Sequence, residues 1–174
     1  NLQVGLLSMA LGVLAAVPTI FLIGYNGMIL GAFAALHHQN GIAVEMWAWI
    51  LPHGITELLA IVFCGGIGLM LGRAVVCPGN LTRMESLART GFEAVYIALG
   101  AAGMLIFAAF VESYVRQSHL STATRFAFAG TTAVFWMAYL GRGLYLQARQ
   151  VRPLPEPSLM TNPSSPVENG RLAQ

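Results

Sequence analysis

The stretch Pro52-His53-Gly54-Ile55-Thr56-Glu57-Leu58 opens an apolar run that continues to Gly72. A run of this length provides the roughly 20 residues that a helix needs to cross the hydrocarbon core of a bilayer. His53 and Glu57 are four residues apart, which puts both side chains on one face of such a helix. Ionisable groups inside a membrane segment are costly, so the pair indicates either a functional site or a required internal partner.

The composition places the whole chain in the membrane class. Of its 174 residues, 56% are hydrophobic and only 9% are charged, and the mean hydropathy is +0.67. A soluble domain carries about 25% charged residues, so this chain has too little charge to cover a globular surface in water. We therefore expect a lipid bilayer as its solvent, and the net charge of +2 does not indicate a nucleic-acid partner.

Four apolar blocks predict an all-α, polytopic transmembrane helix bundle over residues 1–148. The predicted spans cover about residues 2–36, 50–73, 92–115 and 124–146. The first block exceeds one span and is expected to break near residues 25–27, giving a short fifth helix. Residues 149–174, rich in Pro, Ser and Asn, are predicted to form a disordered tail. Because Asn1 lies inside an apolar stretch, we expect the chain to be the C-terminal part of a longer protein.

The placement of arginine predicts the orientation of these spans. Arg73, Arg83 and Arg89 follow the second block, and further arginines lie at the end of the fourth block and in the tail. Loops on the cytoplasmic side carry an excess of basic residues. We therefore predict that the segment from 73 to 91 and the tail are cytoplasmic, and that residues 37–49, which contain no arginine, lie outside.

Polar residues from distant parts of the chain are predicted to meet in the outer half of the membrane. They are Asn26, His53, Glu57 and Glu112. Each lies towards the predicted outer end of its apolar block, whereas the inner half carries few polar residues besides the boundary arginines. The expected result is an imidazole, two carboxyl groups and an amide close together just beneath the outer face.

Three interpretations of this cluster remain open. In the first, Glu57 accepts a hydrogen bond from His53 or Asn26, and Glu112 pairs with Arg116 four residues later. In the second, His53, Glu57 and Glu112 bind zinc, since imidazole and carboxylate groups are suitable zinc ligands. In the third, the cluster lines a polar groove that binds a partner segment, a lipid headgroup or a proton.

Two pairs of glycines have the spacing that lets helix backbones approach closely. They are Gly27 with Gly31, and Gly68 with Gly72. We interpret both pairs as helix-packing positions within one bundle, with a homo-oligomer as the alternative.

Three stretches give the chain a family resemblance. They are YNGMILG at 25–31, LPHGITELLAI at 51–61 and AAFVE at 108–112. With these stretches in order, roughly residues 1 to 116 resemble the stage II sporulation protein M family. Carried over position by position, the family pattern points to six residues: Asn26, Gly27, His53, Gly54, Glu57 and Glu112.

The resemblance implies a multi-pass protein of the bacterial inner membrane. The family's namesake looks like a membrane anchor for peptidoglycan-degrading proteins, so we expect a non-enzymatic scaffold that recruits cell-wall-remodelling partners and needs no cofactor. One alternative is an intramembrane, metal-dependent hydrolase or lipid-modifying enzyme that uses His53, Glu57 and Glu112 with zinc. A second alternative is a proton-coupled transporter or channel.

Overall fold

The computed structural model describes residues 1–150, without the side chains of Arg116 and Gln117. The described residues form five α-helices: α1 (Leu2–Ala10), α2 (Val17–Gln39), α3 (Ala43–Val76), α4 (Arg83–Gln117) and α5 (Thr122–Gln150). A short 3₁₀ helix, Leu11–Val13, follows α1. The all-α prediction is confirmed. The predicted disordered tail lies outside the described residues, apart from residues 149 and 150, which end α5.

Three of these helices are long and apolar enough to cross a membrane: α2, α3, and α4 as far as Val115. The predicted fourth span falls on α5, which is not one of the three. Arg125 and Arg142 leave fewer than the roughly 20 uncharged residues that a span needs. Among the described residues, the chain therefore has three candidate spans where the apolar blocks suggested four.

The first apolar block breaks earlier than predicted. Ala15 and Ala16 have positive φ angles of 58° and 62°, and α2 begins directly after them with Pro18 in its first turn. Proline suits this position because the first helical residues need no backbone N–H donor. The predicted break around Asn26 is absent, because α2 continues unbroken from Val17 to Gln39. The Asn26 side-chain amide donates to the carbonyl of Leu22 (2.8 Å), one turn earlier in the same helix.

The boundaries of the next two spans also extend beyond the apolar blocks. α3 begins at Ala43 and α4 at Arg83. α4 begins there because Thr82 caps it: Thr82 Oγ1 accepts a hydrogen bond from the Glu85 backbone N–H (3.3 Å), and the Glu85 carboxylate accepts one from the Thr82 N–H (2.9 Å). This reciprocal arrangement is a capping box, and it allows charged residues to extend the helix before its apolar part.

Small residues, mainly alanine, make up most of the core, and many large apolar residues face outwards. The centre of the α3–α4 interface is the buried cluster Ala60, Cys64, Ala101 and Met104. By contrast, large apolar side chains elsewhere are highly exposed, with Phe92 77% accessible and Phe21 74%. This pattern is typical of membrane bundles, where small residues let helices approach and large ones contact lipid. The fold is an all-α membrane bundle in which α3 packs against α1, α2 and α4.

The chain divides within α5. Residues Asn1–Ala138 form one compact unit, and the second unit begins at Tyr139. In the described part of the second unit, residues 139–150, the Arg149 guanidinium lies over the Tyr145 ring at 4.8 Å from its centroid. The site described below lies entirely within the first unit.

One side-chain hydrogen bond connects α5 to α3 across 80 residues of sequence. The indole N–H of Trp136 donates to the hydroxyl of Thr56 at 3.0 Å. Thr56 is 1% exposed, and the Trp136 ring packs against the α3–α4 cluster. A hydroxyl in this environment needs a partner, because an unpaired polar group in an apolar interior is destabilising.

Replacing Thr56 with valine is expected to lower the free energy of unfolding by about 0.6 kcal/mol, the average for interhelical hydrogen bonds in membrane proteins. The side-chain volume is nearly unchanged, so the effect reports mainly the lost bond. Equilibrium unfolding in mixed micelles would measure it. Thr131→Val is the matched control, because the Thr131 hydroxyl donates only to its own helix, at Ala127 O (2.9 Å). Equal losses in both variants would contradict the assigned role of the bond.

Candidate functional site

The polar residues of α2 and α3 meet in a groove between these helices. The groove has a volume of about 410 Å³, and its polar lining includes Asn26 from α2 and His53 and Glu57 from α3. Its walls are otherwise largely apolar: they include Leu30, Phe33, Ile50, Leu58 and Ile61. An apolar groove with a few convergent polar groups is the usual form of a binding site.

The helical period of α3 explains why two of these groups share the groove. His53 and Glu57 are one turn apart and lie on the same face. Gly27 of α2 also lines the groove, where its lack of a side chain leaves space opposite them. All three polar side chains are half-buried, so they are partly withdrawn from the surroundings of the bundle.

Within the described part of the chain, the His53 and Glu57 side chains have no hydrogen-bond or ion-pair partner. The Asn26 amide is engaged by its own helix at Leu22. The bond to Glu57 from His53 or Asn26 that the first interpretation requires is therefore not formed. A carboxyl group and an imidazole in an apolar groove retain unsatisfied hydrogen-bonding capacity, which favours a ligand that supplies partners.

Glu112 does not belong to this groove. It lies on α4, is half-buried, and already takes part in an interaction of its own. Across residues 1–150, no three His, Cys, Asp or Glu side chains are placed to hold one metal ion. The expected meeting of one imidazole and two acids is thus replaced by a smaller group of Asn26, His53 and Glu57. The geometry gives no support to a zinc centre that includes Glu112.

The glycine pair of α3, Gly68 and Gly72, packs against the end of α1 and the beginning of α2. A Cβ placed on Gly68 would meet the carbonyl oxygen of Ser8 and lie 2.8 Å from Thr19 Cγ2. A Cβ on Gly72 would lie 2.5 Å from the backbone nitrogen of Ala16. Real Cβ atoms essentially never come this close to other atoms. Both positions therefore require glycine for the helices to touch.

The glycine pair of α2 has a different environment. Nothing in the described chain lies within 4 Å of a Cβ built on Gly27 or Gly31. Packing within the bundle, which the spacing suggested for this pair, is therefore not what the structure shows. These glycines present an open strip of backbone beside the groove.

The sequence did not predict which residues pack against the glycine pair of α3. A Cβ on Gly12 would lie 2.5 Å from the Cα of Gly68, so the two backbones are in direct contact. Beside them, the hydroxyl of Thr19 donates to the carbonyl of Ser8 at 2.8 Å, and both residues are fully buried. The Gly12 position could not be recognised because the break was expected near residues 25–27, whereas it lies at Ala15 and Ala16.

The architecture and the groove define an integral membrane protein with a polar recess between two of its helices. The chain belongs to the stage II sporulation protein M family, because the family model matches residues 1–116. The matched region includes α1 to α4 up to Arg116, and hence the groove and Glu112, whereas α5 lies beyond it. No curated protein and no solved structure matches the chain.

Proposed function

We propose that this protein is a scaffold of the bacterial inner membrane that recruits cell-wall-remodelling proteins, and that its α2–α3 groove binds a membrane segment of the partner. The observation that carries this proposal is the pair His53 and Glu57, which lines the groove without a partner among residues 1–150. Family membership supports the recruiting role.

The shape of the groove suits a helix. Its apolar walls match the side chains of a membrane segment, and the open strip at Gly27 and Gly31 would let a second backbone approach closely, as small residues do in membrane interfaces. Glu57 would accept a hydrogen bond from a polar or basic residue of the partner. Such a residue is itself costly in lipid unless it is paired. The hydrogen bond would therefore make the groove specific for a segment that carries this residue.

The orientation forms part of this proposal. Arg73 near the end of α3 and Arg83 and Arg89 at the beginning of α4 flank the connection between these helices. By the positive-inside rule, we expect this connection to lie in the cytoplasm. The connection between α2 and α3 carries no arginine. His53 and Glu57, which lie in the half of α3 nearer that connection, would then lie in the outer leaflet, on the side where peptidoglycan is built.

A photo-reactive residue at Leu30, in the groove wall, is expected to form an adduct with a peptidoglycan-remodelling protein in native membranes. Glu57→Leu should reduce this adduct about tenfold, because one charge-assisted hydrogen bond contributes about 1.5–3 kcal/mol. Mass spectrometry would identify the captured protein, and a zymogram would test it for cell-wall hydrolysis.

The matched control places the same photo-reactive residue at Tyr96, which is 81% exposed on α4 and lies outside the groove. It should capture lipid and no specific partner. Identical adducts from both positions would contradict the assignment of the groove. Adducts formed solely between copies of this chain would replace recruitment with self-association.

A further inference from the structure

A second polar recess lies at the far end of α3 and is built differently from the groove. It has a volume of about 260 Å³, and its polar lining consists of Arg73 and Cys77 from the end of α3 and Ser86, Thr90 and Glu93 from α4. Arg73 lies 20 residues beyond His53, which corresponds to about 30 Å along a helix. The recess is therefore separate from the proposed partner groove.

The charge balance of this recess favours an anion. Arg73 is exposed and has no ion-pair partner in the described residues. The one acid that lines the recess, Glu93, faces Arg89 at 3.6 Å, so its charge is already offset. What remains is one guanidinium group beside two hydroxyl-bearing side chains. A guanidinium fork and hydroxyl donors match the oxygen atoms of a phosphate.

The depth of the recess identifies the kind of phosphate. On α3 the apolar run ends at Gly72, immediately before Arg73, and on α4 the charged turns that contain Arg89 and Glu93 give way to apolar residues from Ala94 onwards. Both helices therefore pass from charged to apolar sequence at the recess. That is the level of lipid headgroups, and basic pockets between membrane helices are known to bind anionic ones.

We propose that this recess binds the headgroup of an anionic phospholipid, with Arg73 on the phosphate and Ser86 and Thr90 as hydrogen-bond donors. The bound lipid would connect the end of α3 to the beginning of α4. It would also complete the polar contacts of Arg73, which the protein itself leaves open.

Native mass spectrometry of the protein in micelles, titrated with phosphatidylglycerol or phosphatidylcholine, would test the proposal. We expect phosphatidylglycerol to be retained and phosphatidylcholine to be lost. Arg73→Gln should weaken phosphatidylglycerol binding about tenfold, as expected when a hydrogen bond to a charged group is removed. Arg142→Gln, at an exposed arginine that does not line the recess, should leave binding unchanged.

Equal retention of both lipids, or equal weakening by both variants, would overturn the proposal in favour of general surface charge. Displacement of the lipid by millimolar inorganic phosphate would overturn it in favour of a free-phosphate site.

The thiol of Cys77 supplies a second readout on the unaltered protein. Cys77 is exposed and lines the recess, whereas Cys64 is buried, so a maleimide should label Cys77 alone. In nanodiscs, phosphatidylglycerol is expected to slow this labelling several-fold relative to phosphatidylcholine alone, and Arg73→Gln should abolish the difference. Labelling at one rate in both lipids would contradict occupation of the recess.

Discussion

Replacing Gly68 with alanine is expected to lower the free energy of unfolding by about 3 kcal/mol, at the upper end of the range for overpacked interiors. The added methyl group would meet the carbonyl oxygen of Ser8, and it would lie 2.8 Å from Thr19 Cγ2. One of these obstacles is backbone, which cannot rotate away. The α3 helix must therefore move off the chain around Ser8 and Gly12, and the buried Thr19–Ser8 hydrogen bond would be strained with it. Equilibrium unfolding in mixed micelles would measure the loss.

Gly66 offers a matched control on the same helix, two residues away. A Cβ on Gly66 meets nothing within 4 Å in the described chain. Because alanine restricts the unfolded chain and favours helix, Gly66→Ala should be neutral or stabilising by up to about 1 kcal/mol. The two substitutions are chemically identical, so an opposite sign isolates the helix contact. Similar results at both positions would show that α3 does not pack on this segment as described.

Replacing Glu57 with leucine is expected to raise the free energy of unfolding of the isolated protein by about 1 kcal/mol. An acid at the centre of a membrane helix costs about 2.5–3.5 kcal/mol on insertion scales. The smaller figure reflects the half-buried position of Glu57 and the nearby polar groups of the groove. Leucine would extend the apolar walls instead. The same unfolding titration would detect the gain.

Glu45 is the control acid for this experiment. It lies in the first turn of α3, outside the groove, where a negative charge interacts favourably with the helix dipole. Glu45→Leu should therefore lower the free energy of unfolding by about 0.5 kcal/mol. If Glu57→Leu instead destabilises the protein by several kcal/mol, Glu57 holds the bundle together and the groove is a structural network.

Glu57→Leu is expected to raise the free energy of unfolding and to lower the yield of the crosslinked partner. These opposite effects separate a role in binding from a role in folding. A variant that folds better than the natural sequence but loses its crosslinked partner cannot owe that loss to unfolding. Residues retained at a cost to stability are expected at functional sites, because binding requires groups that the protein alone leaves unsatisfied. The lipid site at Arg73 can be tested without reference to this result, since it lies about 24 Å from Glu57 along α3.

Of the four polar residues that the sequence grouped together, Asn26, His53 and Glu57 line the α2–α3 groove and Glu112 does not. His53 and Glu57 share a face because they are one helical turn apart, which no tertiary contact can change. Glu112 was grouped with them by depth alone. Depth says how far along its helix a residue lies, and it does not say towards which neighbour the side chain points. In the structure, Glu112 does not line the groove. The depth argument could not show this, because it carries no information about the rotation of α4.

The break in the first apolar block illustrates the same limit. Asn26 and Gly27 are typical turn residues in water, and their presence suggested a break. In α2 they remain helical, with the Asn26 side chain bonded to its own helix. The actual break, at two alanines with positive φ, has no strong signal in the residues themselves. It is stabilised by the contact of Gly12 and Ala16 with Gly68 and Gly72.

Composition and apolar run length alone determined that this chain folds as helices in a membrane, because a bilayer leaves few other ways to satisfy backbone hydrogen bonds. Short quoted stretches also identified its family. Only the tertiary structure decided which faces of those helices meet, which glycines are pressed against backbone, and which polar groups are left open to a ligand. Those outcomes depend on the rotation of each helix about its axis, and that rotation is set by close contacts between segments that no single helix encodes.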